Sequence, residues 1–165
     1  MIVRERVVTV MIASRRTLTH LIILTARVLA GAFGAPSSVS AAPDWASQAE
    51  SVCSQGVTSA QQAPHVGNID DESAFHASYA SRAQSQAANQ LGAIGGAPTG
   101  GAQLANNLRT LGQYNMEMGQ IYARHVLYSD RLFQLIDQSS ALTDAAKKLA
   151  NQLGAPSCGT LADQG

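Results

Sequence analysis

The sequence has little of what most active sites and nucleic-acid surfaces are built from. Only 13% of its 165 residues are charged, 11 Lys and Arg stand against 11 Asp and Glu, and aromatics make up 5%. Without a basic excess the chain lacks the electrostatic footprint of a nucleic-acid binder. Two cysteines are too few for a disulfide-dense miniprotein, and they do not form the Cys-x-x-Cys pair of a dithiol redox site. No serine sits in a Gly-x-Ser-x-Gly elbow, and no glycine-rich loop follows a strand to hold phosphate. Alternating runs of β-branched residues are missing beyond residue 41. The chain therefore reads as all-α and non-enzymatic, and its length allows one small domain.

What is present is unevenly placed. Arg4, Arg6, Arg15 and Arg16 face only Glu5, an apolar stretch runs from Leu18 to Phe33, and the small residues Ala35 to Ala42 lead into Pro43-Asp44-Trp45. Basic, apolar and small-residue regions in that order are the three parts of a secretory signal peptide. Cleavage after Ala41 places Val39 and Ala41 at the two small-residue positions and keeps Pro43 from directly following the cut. As a membrane anchor the stretch falls short of the roughly 20 apolar residues a span needs, and Arg27 near its centre adds about 2.5–3.5 kcal/mol. Met11 is an alternative start, and Ser14-Arg15-Arg16-Thr17-Leu18 loosely resembles a twin-arginine export signal. No cysteine precedes Cys53, so the cleavage point offers no site for a lipid.

The expected organisation is a signal peptide over 1–41 and a single domain over 42–165, secreted or held in the cell envelope with no stable membrane anchor. Loss of the leader leaves six basic against ten acidic residues, so the exported chain is acidic and repels nucleic acid and anionic lipid. Export also gives Cys53 and Cys158 a meaning, since two thiols in an oxidising compartment pair as a disulfide. The bridge would tie the start of the domain to its end.

Helical periodicity predicts about four helices joined by short loops, hence an antiparallel bundle. The first runs from about Asp44, its N-cap, to Gln62, with Trp45, Ala49, Val52, Cys53, Val57 and Ala60 inward and Gly56 as a weak point. The second opens on Asp70, Asp71 and Glu72, where the helix dipole favours acids, and carries Phe75, Tyr79, Ala83, Ala87, Leu91 and Ile94 on its apolar face. The glycines between Gly95 and Gly101 end it. A third helix, about Ala102 to Gln138, carries the seam Leu111, Tyr114, Met118, Ile121, His125, Tyr128, Leu132 and Leu135 at spacings of three and four. The last starts near Leu142 or Thr143 and stops at Gly154, with Pro156 beyond it. The cysteines then join the first helix to the tail after the fourth.

His125 is the one ionisable residue on the long seam. With Met118, Tyr122 and Tyr128 nearby it is the candidate ligand set for haem or a metal, the alternative being a histidine hydrogen-bonded at the edge of the core. His65, Asp70, Asp71, Glu72 and His76 gather around the start of the second helix. Helix capping accounts for the acids there, and their spacing matches no calcium loop, so no metal site is assigned. Met118 is expected in the core and Met116 at the surface, because successive odd positions do not share a helix face.

The segments Asp44-Trp45-Ala46-Ser47-Gln48-Ala49-Glu50-Ser51-Val52-Cys53 and Leu149-Ala150-Asn151-Gln152-Leu153-Gly154-Ala155-Pro156-Ser157-Cys158 resemble the two ends of a group of small actinobacterial exported proteins. These have Trp and Ala before an early cysteine and a Leu-Gly step before a last one. The resemblance covers about twenty residues and implies an all-helical, disulfide-linked exported domain without assigning it a ligand. Mycobacterial secreted haem-binding proteins are also small, helical and disulfide-linked, although their His-Pro and Asn-Pro segments have no counterpart here. Two expectations follow: a non-enzymatic exported bundle acting through an unidentified protein partner, with no cofactor, or a small-ligand carrier in which His125 holds haem.

Overall fold

The structure is a computed structural model that describes residues 44–165; the leader, its cleavage point and Met11 lie outside the described residues. Five helices follow in order: α1 (Trp45–Ala60), α2 (Ile69–Ala93), α3 (Gly101–Tyr122), α4 (Asp130–Gln152) and the short α5 (Pro156–Ala162), with no strand among the described residues. Asp44 caps α1 as its sequence predicts, its carboxylate accepting the Ser47 N–H at 2.8 Å. That bond to the backbone holds the Asp44 carboxyl below its ordinary value.

Cys53 on α1 and Cys158 on α5 form a disulfide, with their Cα atoms 4.8 Å apart and both residues fully buried. Cys158 thus lies on a fifth helix, not on an irregular tail. Pro156, expected to follow the end of the chain's last helix, instead occupies the first turn of α5, where its missing N–H costs nothing. Glu50 of α1 accepts the Ser157 backbone N–H at 2.9 Å and also binds the Ser157 hydroxyl, so α1 caps the helix that carries its disulfide partner.

The predicted helix over about Ala102 to Gln138 is two helices. The chain leaves α3 through a Schellman closure, with Val126 N–H bonded to Ile121 O at 3.3 Å and His125 N–H bonded to Tyr122 O at 2.8 Å. His125 occupies the left-handed position of this motif, at φ +55°, where glycine is the usual residue. Gly154 plays that part at the end of α4, at φ +73°. The chain then restarts at Ser129, whose hydroxyl accepts the Leu132 N–H at 3.2 Å, and α4 runs unbroken through Leu142 and Thr143, where a separate helix was expected to begin.

The inward face of α2 also differs from expectation. Ala83, Ala87 and Leu91 are buried as read, but Phe75 is exposed, Tyr79 is half-buried, and the remaining buried positions are Ala77, Ala80, Ser81, Gln84 and Ala88. The cause is the partner helix. Glycines of α3 lie against small residues of α2, so a Cβ at Gly112 would stand 2.5 Å from Ser85 Oγ and 3.0 Å from the Ser81 carbonyl oxygen. One at Gly119 would stand 3.3 Å from the Ala74 carbonyl oxygen. Ala, Ser and Gly let the two backbones close on each other, and the alanine-rich composition is the means of that packing. Gly112→Val should therefore lower stability by about 1–3 kcal/mol, through helix displacement, measurable as a fall in the urea midpoint.

Two apolar clusters result. The larger joins Trp45, Ala49 and Cys53 to Leu91, Leu104, Leu108, Leu111, Cys158 and Leu161, and the smaller consists of Met118, Leu132 and Leu135 with Tyr114, Ile121 and Tyr122 against them. Between α3 and α4, Arg131 grips Glu117 with two bonds of 2.6 and 2.7 Å. The guanidinium holds the Glu117 carboxyl below its usual value, and Glu117 raises that of Arg131. Both side chains are exposed, so the pair orients the α3–α4 turn more than it stabilises it.

Candidate functional site

The start of α2 is where polar chemistry and an apolar recess meet. Asn68 is the N-cap, its side-chain oxygen accepting the Asp70 N–H at 2.9 Å, and Asp70, Asp71 and Glu72 fill the first turn. The loop after α1 brings His65 over that turn, with its Nδ1 2.7 Å from Glu72 Oε1. One turn further on, His76 Nε2 lies 3.7 Å from the same oxygen. The two imidazole rings are 5.9 Å apart, centre to centre. The hydrogen bond from His65 holds the Glu72 carboxyl below the ordinary glutamate value, against the opposing effect of desolvation and with lesser help from the charges of His65 and His76. Of the five residues read from sequence as gathered here, the structure brings these three together. Asp70 is drawn elsewhere, its Oδ2 3.1 Å from His125 Nδ1, and belongs to a separate pair.

Glu72 and His76 also edge a half-open groove of about 390 Å³ between α2, α3 and α4. Its walls are Ile69, Ser73 and Ala77 of α2, Met118 and Tyr122 of α3, and Ile136 and Ser139 of α4, with Gly165 closing one side. The recess exists because α3 ends at Tyr122 and the chain re-enters as α4, leaving α2 uncovered beyond the small cluster. Its volume falls in the lower part of the range typical of small-ligand sites.

The four residues proposed from sequence as a ligand set are divided by the same break. Met118 is buried and Tyr122 half-buried, and both line the groove. His125 and Tyr128 are not among its lining residues: His125 sits exposed in the turn paired with Asp70, and Tyr128 is 91% exposed. Met116 is exposed as expected. The groove residues that sequence reading did not select are Ile69, Ser73, Ala77, Ile136, Ser139 and Gly165. Ile136 lies outside the three-four seam, and nothing in its local sequence distinguishes a groove wall from a core position.

Comparison with known protein families, curated proteins and solved structures gives no match, so the site is read from its own geometry.

Proposed function

We propose that this chain is an exported, non-enzymatic helical protein of the extracytoplasmic space that works by binding, with the groove between α2, α3 and α4 as its binding face. The observation that carries the reading is the distribution of exposed apolar surface. Among the described residues, every large hydrophobic side chain that is strongly exposed lies between Val66 and Ile136, and none lies on α1 or α5. Two of them, Ile69 of α2 and Ile136 of α4, are walls of the groove, and exposed apolar surface set in a recess marks an interaction face.

Export is supported by the buried Cys53–Cys158 bond, which persists in an oxidising compartment, and by the order of basic, apolar and small residues in the leader. No described helix is long and apolar enough to cross a membrane. The antiparallel order of the long helices, expected from their short connections, belongs to the same reading. The carrier reading draws specific support from Met118 and Tyr122 sharing one recess. In that form the ligand is held by Met118, Tyr122 and Ile136 and not by His125.

An environment-sensitive apolar dye tests the binding face. A saturable fluorescence rise at one dye per chain is expected, and Ile136→Glu, which puts a charge on an exposed wall of the groove, should weaken it by about tenfold or more, a cost of about 1.4 kcal/mol. Dye binding that is non-saturable, or indifferent to Ile136→Glu, counts against the groove. Mass spectrometry of the protein recovered outside the cell tests export: it should begin near Ala42 with no free thiol, and a chain beginning at Met1 or Met11 overturns the leader.

A further inference from the structure

The groove reading makes no use of His76 at its rim or of His65 beside it, and these carry a separate inference. We propose that His65, Glu72 and His76 form a binding site for a divalent first-row transition ion, zinc in the first instance, with an open coordination position facing solvent.

One potential ligand atom from each of the three side chains lies within 4.8 Å of the other two. In a tetrahedral zinc site with bonds of about 2.0–2.1 Å, neighbouring ligand atoms stand about 3.3 Å apart. The His65–Glu72 and Glu72–His76 separations, 2.7 and 3.7 Å, bracket that figure. The longest span closes by rotation of the His65 side chain, which is 83% exposed to solvent. Glu72 and His76 are four residues apart on α2, the spacing that puts two side chains on one face, so helix geometry holds half of the chelate in place before any ion arrives. His65 completes it from the loop.

The donor set selects the class of ion. Two imidazoles and one carboxylate are the protein ligands of many zinc sites that keep a fourth position for water. Calcium requires six to eight oxygens and magnesium an octahedron of them, neither of which two nitrogens supply. An ordinary surface ion pair needs one histidine for its acid, whereas here two converge on the same Glu72 oxygen. The disulfide removes both cysteines as competing thiolate ligands. Asp70 and His125 form their own pair and are not part of the set.

The test is a titration of the EDTA-stripped, oxidised full chain with zinc chloride against a chromophoric chelator, followed by the visible spectrum of the cobalt(II) form. One equivalent of zinc should bind, and cobalt should give the intense d–d bands of a four-coordinate site. His65→Ala, Glu72→Gln and His76→Ala should each weaken zinc by about tenfold or more, at least the cost of losing an outer-shell partner. His125→Ala and the leader variant His20→Ala should leave it unchanged. Circular dichroism will show whether the three exposed substitutions keep the helices, and the cobalt spectrum of the wild-type chain tests the geometry without any variant. No stoichiometric binding, an octahedral cobalt spectrum, or affinity that survives both His65→Ala and His76→Ala overturns the proposal.

Discussion

Replacing Cys53 and Cys158 together by alanine is expected to lower the stability of the domain by about 4–5 kcal/mol, the loop-closure entropy restored to the unfolded chain. The bond spans 105 residues, close to the whole described domain, so the unfolded ensemble it restrains is almost that of the entire polypeptide. Such a loss is a large fraction of the roughly 5–15 kcal/mol that holds a small domain together. Alanine is the informative substitution because both sulfurs sit in the main apolar cluster beside Ala49 and Leu161, and serine would add the cost of a buried hydroxyl. Urea unfolding of the oxidised and double-alanine proteins gives the difference directly. A shift of less than about 1 kcal/mol would show that the unfolded chain is already compact and that the entropic account fails here. Because both cysteines are fully buried, reductant should act slowly on the folded protein and quickly once urea has opened it.

Gln84→Ala should cost about 2–5 kcal/mol, more than its surface-type side chain suggests. Gln84 is fully buried on α2, and its amide donates to the Leu161 carbonyl at 3.1 Å and the Gln164 carbonyl at 2.8 Å, both in the segment that follows Cys158. Its own oxygen accepts from Asn115 Nδ2 of α3 at 2.9 Å. One side chain therefore joins α2, α3 and the end of α5. Truncation takes one donor from each carbonyl and opens a cavity, while Leu161 O keeps the Gln164 N–H at 3.2 Å and Gln164 O keeps Asn115 Nδ2 at 3.1 Å. Gln84→Leu separates the two contributions, since it restores volume without restoring hydrogen bonds. If the leucine variant is as stable as wild type in urea, the polar network adds nothing to stability and its role is restricted to aligning the helices.

Gln84 also illustrates what could not be read locally. A glutamine on a helix is ordinarily a solvent-facing residue, and only the arrival of Leu161 and Gln164 turns this one inward. Phe75 and Tyr79 err in the opposite direction. Their size made them the natural inward face of α2, but Gly112 and Gly119 on α3 admit only small residues at the contact, and the helix is turned so that Ala77, Ser81 and Ser85 meet them. The seam from Leu111 to Leu135 was read as one helix because its spacing continues without a gap through residues that are no longer helical. No glycine or proline marks the break. The available signal was Ser129 followed by Asp130, a cap and a first-turn acid, and it was masked by the periodicity on either side.

The candidate site divides in the same way. The acids at the start of α2 were legible because the helix dipole and capping rules are local, and the presence of His65 and His76 beside them was visible in the spacing. That these two rings meet on one Glu72 oxygen depends on the path of the loop through Pro64, which no periodicity describes. Met118 and Tyr122 were selected for their closeness to His125, and the turn at His125 is what separates them from it.

By itself the sequence determined that the domain is helical, that α1 begins behind Asp44 and that α4 ends at Gly154. It also limited the covalent pairing to one choice, there being two cysteines. All of these depend on residues near one another in the chain or on simple counting. The tertiary structure alone decided which face of α2 is buried, that α3 and α4 are separate, and which polar residues converge. These depend on the sizes of side chains from distant segments meeting at a common surface, where an alanine, a glycine or a glutamine takes its meaning from what packs against it.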